Sequence, residues 1–168
     1  MDKRVKVAGA SLAVASASLV AFLGLWEGTD RKVYADKLAR NIPTGCYGVT
    51  NAVSPVPVVV GDVWSEAQCR DVLALVTEKK QLSLAQCFRR PPSQNTFDAF
   101  SSFAHNVGMS AACGSRAMGL FNEGRLADAC RALAFRPDGT PNWSFANGVF
   151  VSGLHNRRVA EMKLCLKP

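Results

Sequence analysis

The spacing of apolar and polar positions changes character twice along this chain, and each stretch predicts a different kind of element. After Met-Asp-Lys-Arg-Val-Lys, residues 7–26 carry no charge. Twenty residues at the helical rise of about 1.5 Å are just long enough to cross a bilayer. More than half of them are small or weakly polar, among them Ala8, Gly9, Ser11, Ser16, Ser18 and Gly24, so insertion should be weak. From residue 27 to 64 the apolar runs are short and broken by Gly28, Pro43, Gly45, Gly48, Pro55, Pro57 and Gly61. That punctuation suits hairpins and turns rather than helices, and predicts a small β-containing lobe.

Downstream the period is helical. Ser65 and Gln68 have the spacing of a capping box and open a stripe of Cys69, Val72, Leu73 and Val76, which predicts a helix over 66–88 that Arg89-Arg90-Pro91-Pro92 stops. Phe97, Phe100, Phe103, Ala104 and Val107 recur at threes and fours up to Gly108. Residues 112–122 form the next helix, with a left-handed cap near Gly124, and Leu126, Ala129, Cys130 and Leu133 mark another. Residues 137–141 read as a surface turn, and Leu154, Arg158, Glu161, Leu164 and Cys165 mark a final helix. Helices segregated from a small sheet give the α+β class. The expected organisation is an N-terminal signal-anchor helix in residues 1–26, then a domain over 27–168. That domain comprises a small lobe (27–64), a connecting helix (66–88) and a helical lobe (89–168).

Charge adds a direction and a partner. Lys3, Arg4 and Lys6 precede the apolar run, so they stay cytoplasmic by the positive-inside rule and everything from Glu27 onward is exported. A cleaved signal peptide with its site near Ala15-Ser16-Ala17, a permanent anchor, and a segment that inserts weakly and later leaves are the competing readings. The last fits both the length and the polarity. The formal charge of +7 implies an anionic partner. Lys and Arg are not interleaved with aromatics on one face, so no nucleic-acid partner is expected.

Six cysteines, at positions Cys46, Cys69, Cys87, Cys113, Cys130 and Cys165, are widely spaced with no Cys-x-x-Cys pair. Metal binding is not expected from that spacing, and an even set in an exported chain reads as a disulfide framework. Three bridges are expected. The preferred local pair is Cys46 with Cys69, which would tie the hairpin lobe to the start of the long helix; the other four are left open within the helical lobe.

The chemistry points to carboxylates. His105 and His155 are the only histidines, and there is no Gly-x-Ser-x-Gly elbow or phosphate-binding glycine loop, so nucleophilic-triad and nucleotide chemistry lack a motif. Glu27 follows the first apolar segment directly, Asp36 lies nine residues on, and Thr44 opens the next turn. A carboxyl at the end of an apolar helix is partly desolvated and tends to stay protonated, whereas one in a wetter hairpin stays ionised. Such a pair across a cleft is what glycosidic-bond cleavage requires.

In this order the residues resemble the lysozymes of tailed bacteriophages and prophages. Glu27-Gly28, Tyr34-x-Asp36 and Thr44-Gly-Cys-Tyr-Gly48 match in sequence, followed by Phe103-x-x-Asn106-Val-Gly108, Ser115, Asn122-x-Gly124, and Gly153-Leu154-x-x-Arg157-Arg158-x-x-Glu161 with Cys165. The resemblance implies that Glu27 is the general acid, Asp36 the ionised partner and Thr44 a side chain that helps place the attacking water. It also aligns His105 and Arg116 with positions that contact the sugar chain. The implied substrate is the peptidoglycan glycan strand, cleaved with inversion by carboxyl groups about 6.5–9.5 Å apart and without cofactor or metal. Seven residues separate Asp36 from Thr44 where the commonest pattern has five, so the hairpin is enlarged, and Val49 stands where many relatives have His.

The N-terminus resembles the signal-arrest-release branch of that family. Residues 1–45 contain no Cys, so latency would be topological rather than a thiol switch. The expectation is a monomeric endolysin, tethered to the inner membrane through residues 7–26 and facing the periplasm, then soluble in the periplasm. Two alternatives stand beside it: transglycosylase-like cleavage that forms an anhydro sugar, and a non-catalytic exported wall-binding module.

Overall fold

The computed structural model describes residues 3–26, 30–37 and 40–168. In chain order these form a hairpin of β1 (Arg4–Val7) and β2 (Ala10–Ala13), helix α1 (Ala17–Gly24), strands β3 (Tyr34–Asp36), β4 (Ile42–Gly45) and β5 (Val49–Thr50), and the long helix α2 (Glu66–Leu84), which ends in a 3-10 turn at Ala85–Cys87. Helices α3 (Gln94–Val107), α4 (Met109–Cys113), α5 (Arg116–Asn122) and α6 (Leu126–Ala134), a hairpin of β6 (Phe145–Ala146) and β7 (Val149–Phe150), and α7 (Ser152–Cys165) complete it. Two compact units result, one of Ala17–Lys79 and one joining the described residues up to Ser16 with Lys80–Pro168. A mixed α+β architecture is what the sequence predicts.

The N-terminal segment departs from expectation. Residues 7–26 are not one apolar helix, and among the described residues no helix is long and apolar enough to cross a membrane. Instead β1 and β2 pair antiparallel with Val7 opposite Ala10. Ala8 and Gly9 both have positive φ, 46° and 96°, as a two-residue type I′ turn requires. Period two explains the outcome: Val7 and Leu12 are buried with Leu84, Phe88, Phe97 and Phe100, while Lys6 and Ser11 face out. Polar bonds fix the segment further, since Ala13 N–H donates to Gln94 Oε1 (2.8 Å), Ala15 N–H to Gln81 Oε1 (2.6 Å) and Ser16 Oγ to Asp98 Oδ2 (2.7 Å). Only residues 17–24 are helical, and Leu19 and Leu23 are buried in the other unit's core.

In the smaller unit the antiparallel sheet β3-β4-β5 and α1 enclose a core with the α2 stripe, where Cys69, Val72, Leu73 and Val76 are all buried. The capping box forms as read: Gln68 N–H donates to Ser65 Oγ (3.1 Å) and Ser65 N–H to Gln68 Oε1 (2.8 Å). Cys46 and Cys69 are joined, bracing the end of β4 against α2.

The larger unit is helical around an edge-to-face cluster in which Phe88 meets Phe97, Phe100 and Phe121 at 5.8, 5.5 and 5.2 Å. The helix expected over 112–122 is broken in two because Ser115 starts a new one, its Oγ accepting from Met118 N–H (3.1 Å). After α5 the chain closes at Gly124 (φ +86°), with Gly124 N–H bonded to Phe121 O and Arg125 N–H to Leu120 O, a Schellman motif. The β6–β7 hairpin, absent from the sequence reading, turns at Asn147-Gly148, both at positive φ. Cys87 pairs with Cys113 and Cys130 with Cys165.

Candidate active site

The hairpin of the smaller unit brings two of the candidate residues together. β3 pairs with β4 so that Tyr34 faces Thr44, Ala35 faces Pro43 and Asp36 faces Ile42. Side chains of a strand alternate, so Tyr34, Asp36, Ile42 and Thr44 share one face, with Asp36 and Thr44 diagonal neighbours. Asp36 is half-buried and Thr44 buried. Thr44 Oγ1 donates to Ile42 O (3.0 Å), which fixes its rotamer. The enlarged connection is residues 37–41, in which Arg40 and Asn41 both have positive φ and Asn41 N–H closes back on Asp36 O (2.7 Å). Val49 is buried in the same unit's core. Glu27 and Gly28 lie outside the described residues, as do Leu38 and Ala39.

His105 and Arg116 belong to the larger unit. His105 sits in the last turn of α3, with Lys80 Nζ 3.4 Å from its Nδ1. An ammonium has no lone pair to accept with, so Lys80 donates and the imidazole proton resides on Nε2. Burial, followed by the charges of Lys80 and Arg157, lowers the imidazole pKa from 6.5 to about 3. His105 is therefore neutral at neutral pH. Sequence reading missed Lys80, because 25 residues separate the pair and no local pattern joins them. Arg116 is the first residue of α5 and is exposed.

Other residues quoted for the resemblance hold the fold. Asn122 accepts from Arg89 N–H (2.8 Å) and donates to Cys87 O (2.9 Å), locking the chain after the 3-10 turn. Glu161 is wholly buried; its Oε1 accepts from Ser102 Oγ (2.7 Å), Arg158 Nη2 (2.8 Å) and Arg157 Nε (3.3 Å). Burial pushes this carboxyl up against the opposing pull of Arg158, Ser102 and Arg157. Arg158 also lies over the Phe103 ring at 5.1 Å. The signal for this cluster was available in the i, i+3 and i, i+4 spacing of 157, 158 and 161. Among the described residues no group of three or more His, Cys, Asp or Glu could hold a metal ion.

Comparison with known proteins identifies relatives of the whole chain. The chain is 34% identical over 160 residues to the SAR-endolysin of Pseudomonas phage phiKMV, covering 95% of this chain and 91% of that one. Its structure is similar to the muramidase domain of SpmX from Asticaccaulis excentricus, with a TM-score of 0.77 and 25% identity over 92% of this chain and 98% of that one. A mutant P22 lysozyme gives a TM-score of 0.77 at 27% identity, covering 90% of this chain and 97% of that one. A model of the family described as phage lysozyme matches residues 24–161. With most of its length matched by that model, the chain belongs to the phage lysozyme family.

Proposed function

We infer that Glu27, Asp36 and Thr44 carry the hydrolysis of the peptidoglycan glycan strand by this endolysin, a glycoside hydrolase of the muramidase type. Glu27 protonates the leaving glycosidic oxygen. Asp36, ionised, and the Thr44 hydroxyl orient a water on the opposite face of the sugar, so that the new reducing end forms with inversion. The observation that carries this reading is the β3–β4 register, which makes Asp36 and Thr44 diagonal neighbours on one face of a hairpin. His105 and Arg116 are the candidate residues for contact with the sugar chain, Arg116 through charge-assisted contact with wall carboxylates. The surplus of basic residues suits the same polyanionic substrate. A monomer is sufficient for this chemistry.

Glu27→Gln keeps volume and shape but has no proton to donate, so wall hydrolysis should fall by about 10²- to 10⁴-fold or more with an unchanged melting temperature. Asp36→Asn should be similarly severe. Thr44→Ala should cost less, because a water can still be held by the carboxylate. Wild-type turnover by folded Glu27→Gln protein removes the assignment.

The domain over residues 27–168 is taken to act only after residues 1–26 have served as a temporary anchor that exports it to the periplasmic face of the inner membrane. Two facts support this reading. The phiKMV relative is described as a SAR-endolysin, and Val7, Leu12, Leu19 and Leu23 are core residues of the folded units. While residues 7–26 lie in a bilayer, neither core has its full complement of side chains. Exit and folding are then one event, which supplies latency without a thiol switch.

A further inference from the structure

Pairing along the outer edge of the segment leading into β3 ends at Val33, three residues before Asp36. Up to that point the edge is occupied: Val33 N–H donates to Asp62 O (2.8 Å), Gly61 N–H to Val33 O (2.9 Å) and Trp64 N–H to Arg31 O (2.8 Å), with Lys32 bridged to Val63. Backbone groups of an extended chain alternate sides, so the N–H and C=O of Ala35 point toward the same outer edge as those of Arg31 and Val33. The inner side agrees, because Ala35 faces Pro43, which has no N–H to give. Where the next rung would form, the neighbouring segment turns away. Asp62 N–H closes on Val59 O (3.1 Å) and Gly61 takes φ +98°, the left-handed position of a type II turn. Among the described residues no backbone partner meets Ala35 on that edge. A cavity of about 500 Å³ opens there, with Asp30, Lys32, Tyr34, Ala35 and Val60 in its lining.

We propose that this open edge binds the stem peptide of peptidoglycan, one residue of which pairs with Ala35 as an added strand. The site offers one donor and one acceptor, which suffice for a single peptide residue and do not demand a run of L-residues. Asp30 and Lys32 are exposed on the cavity wall. Their opposite charges complement the free ammonium of a diamino acid and the carboxylates that stem peptides carry. Tyr34 and Val60, 41% and 52% exposed, supply apolar contact. The position also fits the glycan: the peptide hangs from the muramic sugar, and Ala35 is one residue, about 3.3 Å of strand, from Asp36. The inference rests on the wall-hydrolase reading and adds to it a binding site for the peptide.

The test titrates the full, isotope-labelled chain with a synthetic stem tetrapeptide that carries no sugar, followed by amide NMR. Saturable shifts are expected at residues 32–35 and 60–61. Lys32→Gln, at an exposed position, should weaken binding about tenfold through loss of one charge-assisted bond. Absence of saturable shifts there, binding confined to other residues, or equal affinity in Lys32→Gln overturns the proposal. Release of sugar ends from whole wall is measured in parallel. Hydrolysis without peptide binding sinks this inference alone; peptide binding without hydrolysis leaves the edge site standing and sinks the hydrolase reading.

Discussion

At the scale of single residues, the surroundings of His105 and Glu161 convert burial into a pH dependence. The folded-state pKa of His105 is depressed to about 3, so between pH 6.5 and 3 the unfolded chain holds a proton that the folded one does not. Stability is therefore lost as pH falls through that window, at up to about 1.4 kcal/mol per pH unit from this group. Glu161, whose pKa is raised by burial, works in the opposite direction, since protonation favours its folded form. Comparison of His105→Gln with the wild type cancels the Glu161 contribution. The variant's melting temperature should decline less steeply between pH 6.5 and 4; identical slopes would show that the imidazole is not held neutral by Lys80, Arg157 and burial. None of this was legible in the sequence, where His105 reads as one more helix residue. Thr44 is the contrast: the motif order singles it out and places it at the opening of a turn, whereas it lies within β4 opposite Tyr34, a register that no local pattern gives.

Among the elements, signals local to a few residues were readable. Ser65 and Gln68 cap α2 as their spacing requires, and Gly124 closes α5. Two local signals were passed over. Asn147-Gly148 between Phe145-Ala146 and Val149-Phe150 is a strong hairpin pattern, and Ser115 after Gly114 is a cap inside an otherwise helical run. Residues 7–26 failed for a different reason. Their lack of charge describes a membrane segment and one that lends a few side chains to a core equally well, and which core receives Leu12 or Leu19 is a tertiary fact. The bridge between Cys46 and Cys69 follows from the need to tie the hairpin lobe to the start of α2, whereas pairing among the other four depends on how α6 meets α7 and how the 3-10 turn meets α4. Burial orders their chemistry. Cys46, Cys69, Cys130 and Cys165 are at most 1% exposed, while Cys87 and Cys113 are only partly buried. Mild reduction of the native protein followed by alkylation should therefore label Cys87 and Cys113 first, and full reduction should cost about 2–5 kcal/mol per bridge. Labelling that begins at Cys130 or Cys165 would contradict that order.

For the whole molecule, the proposed membrane-inserted form and the folded hydrolase would share the same twenty residues. Leaving the membrane would carry Lys3, Arg4 and Lys6, less Asp2, across to the outside. That net +2 is opposed by roughly 5 kcal/mol per 100 mV of membrane potential. Collapse of the potential with an uncoupler should move the intact chain from the membrane to the soluble fraction. Ser11→Leu with Ser18→Leu should hold it back, since both positions are exposed in the folded form and the change acts chiefly on insertion. A soluble product beginning near Ser18 would mean cleavage, and unchanged membrane association would mean a permanent anchor. Hydrolysis of the glycan strand by general acid catalysis from Glu27 is read in the sugar ends that the purified protein releases from peptidoglycan. The wild type should release hydrolysed, reducing muramic ends and Glu27→Gln none; anhydro ends, or no ends from a folded wild-type protein that still binds the wall, would overturn general acid hydrolysis by Glu27.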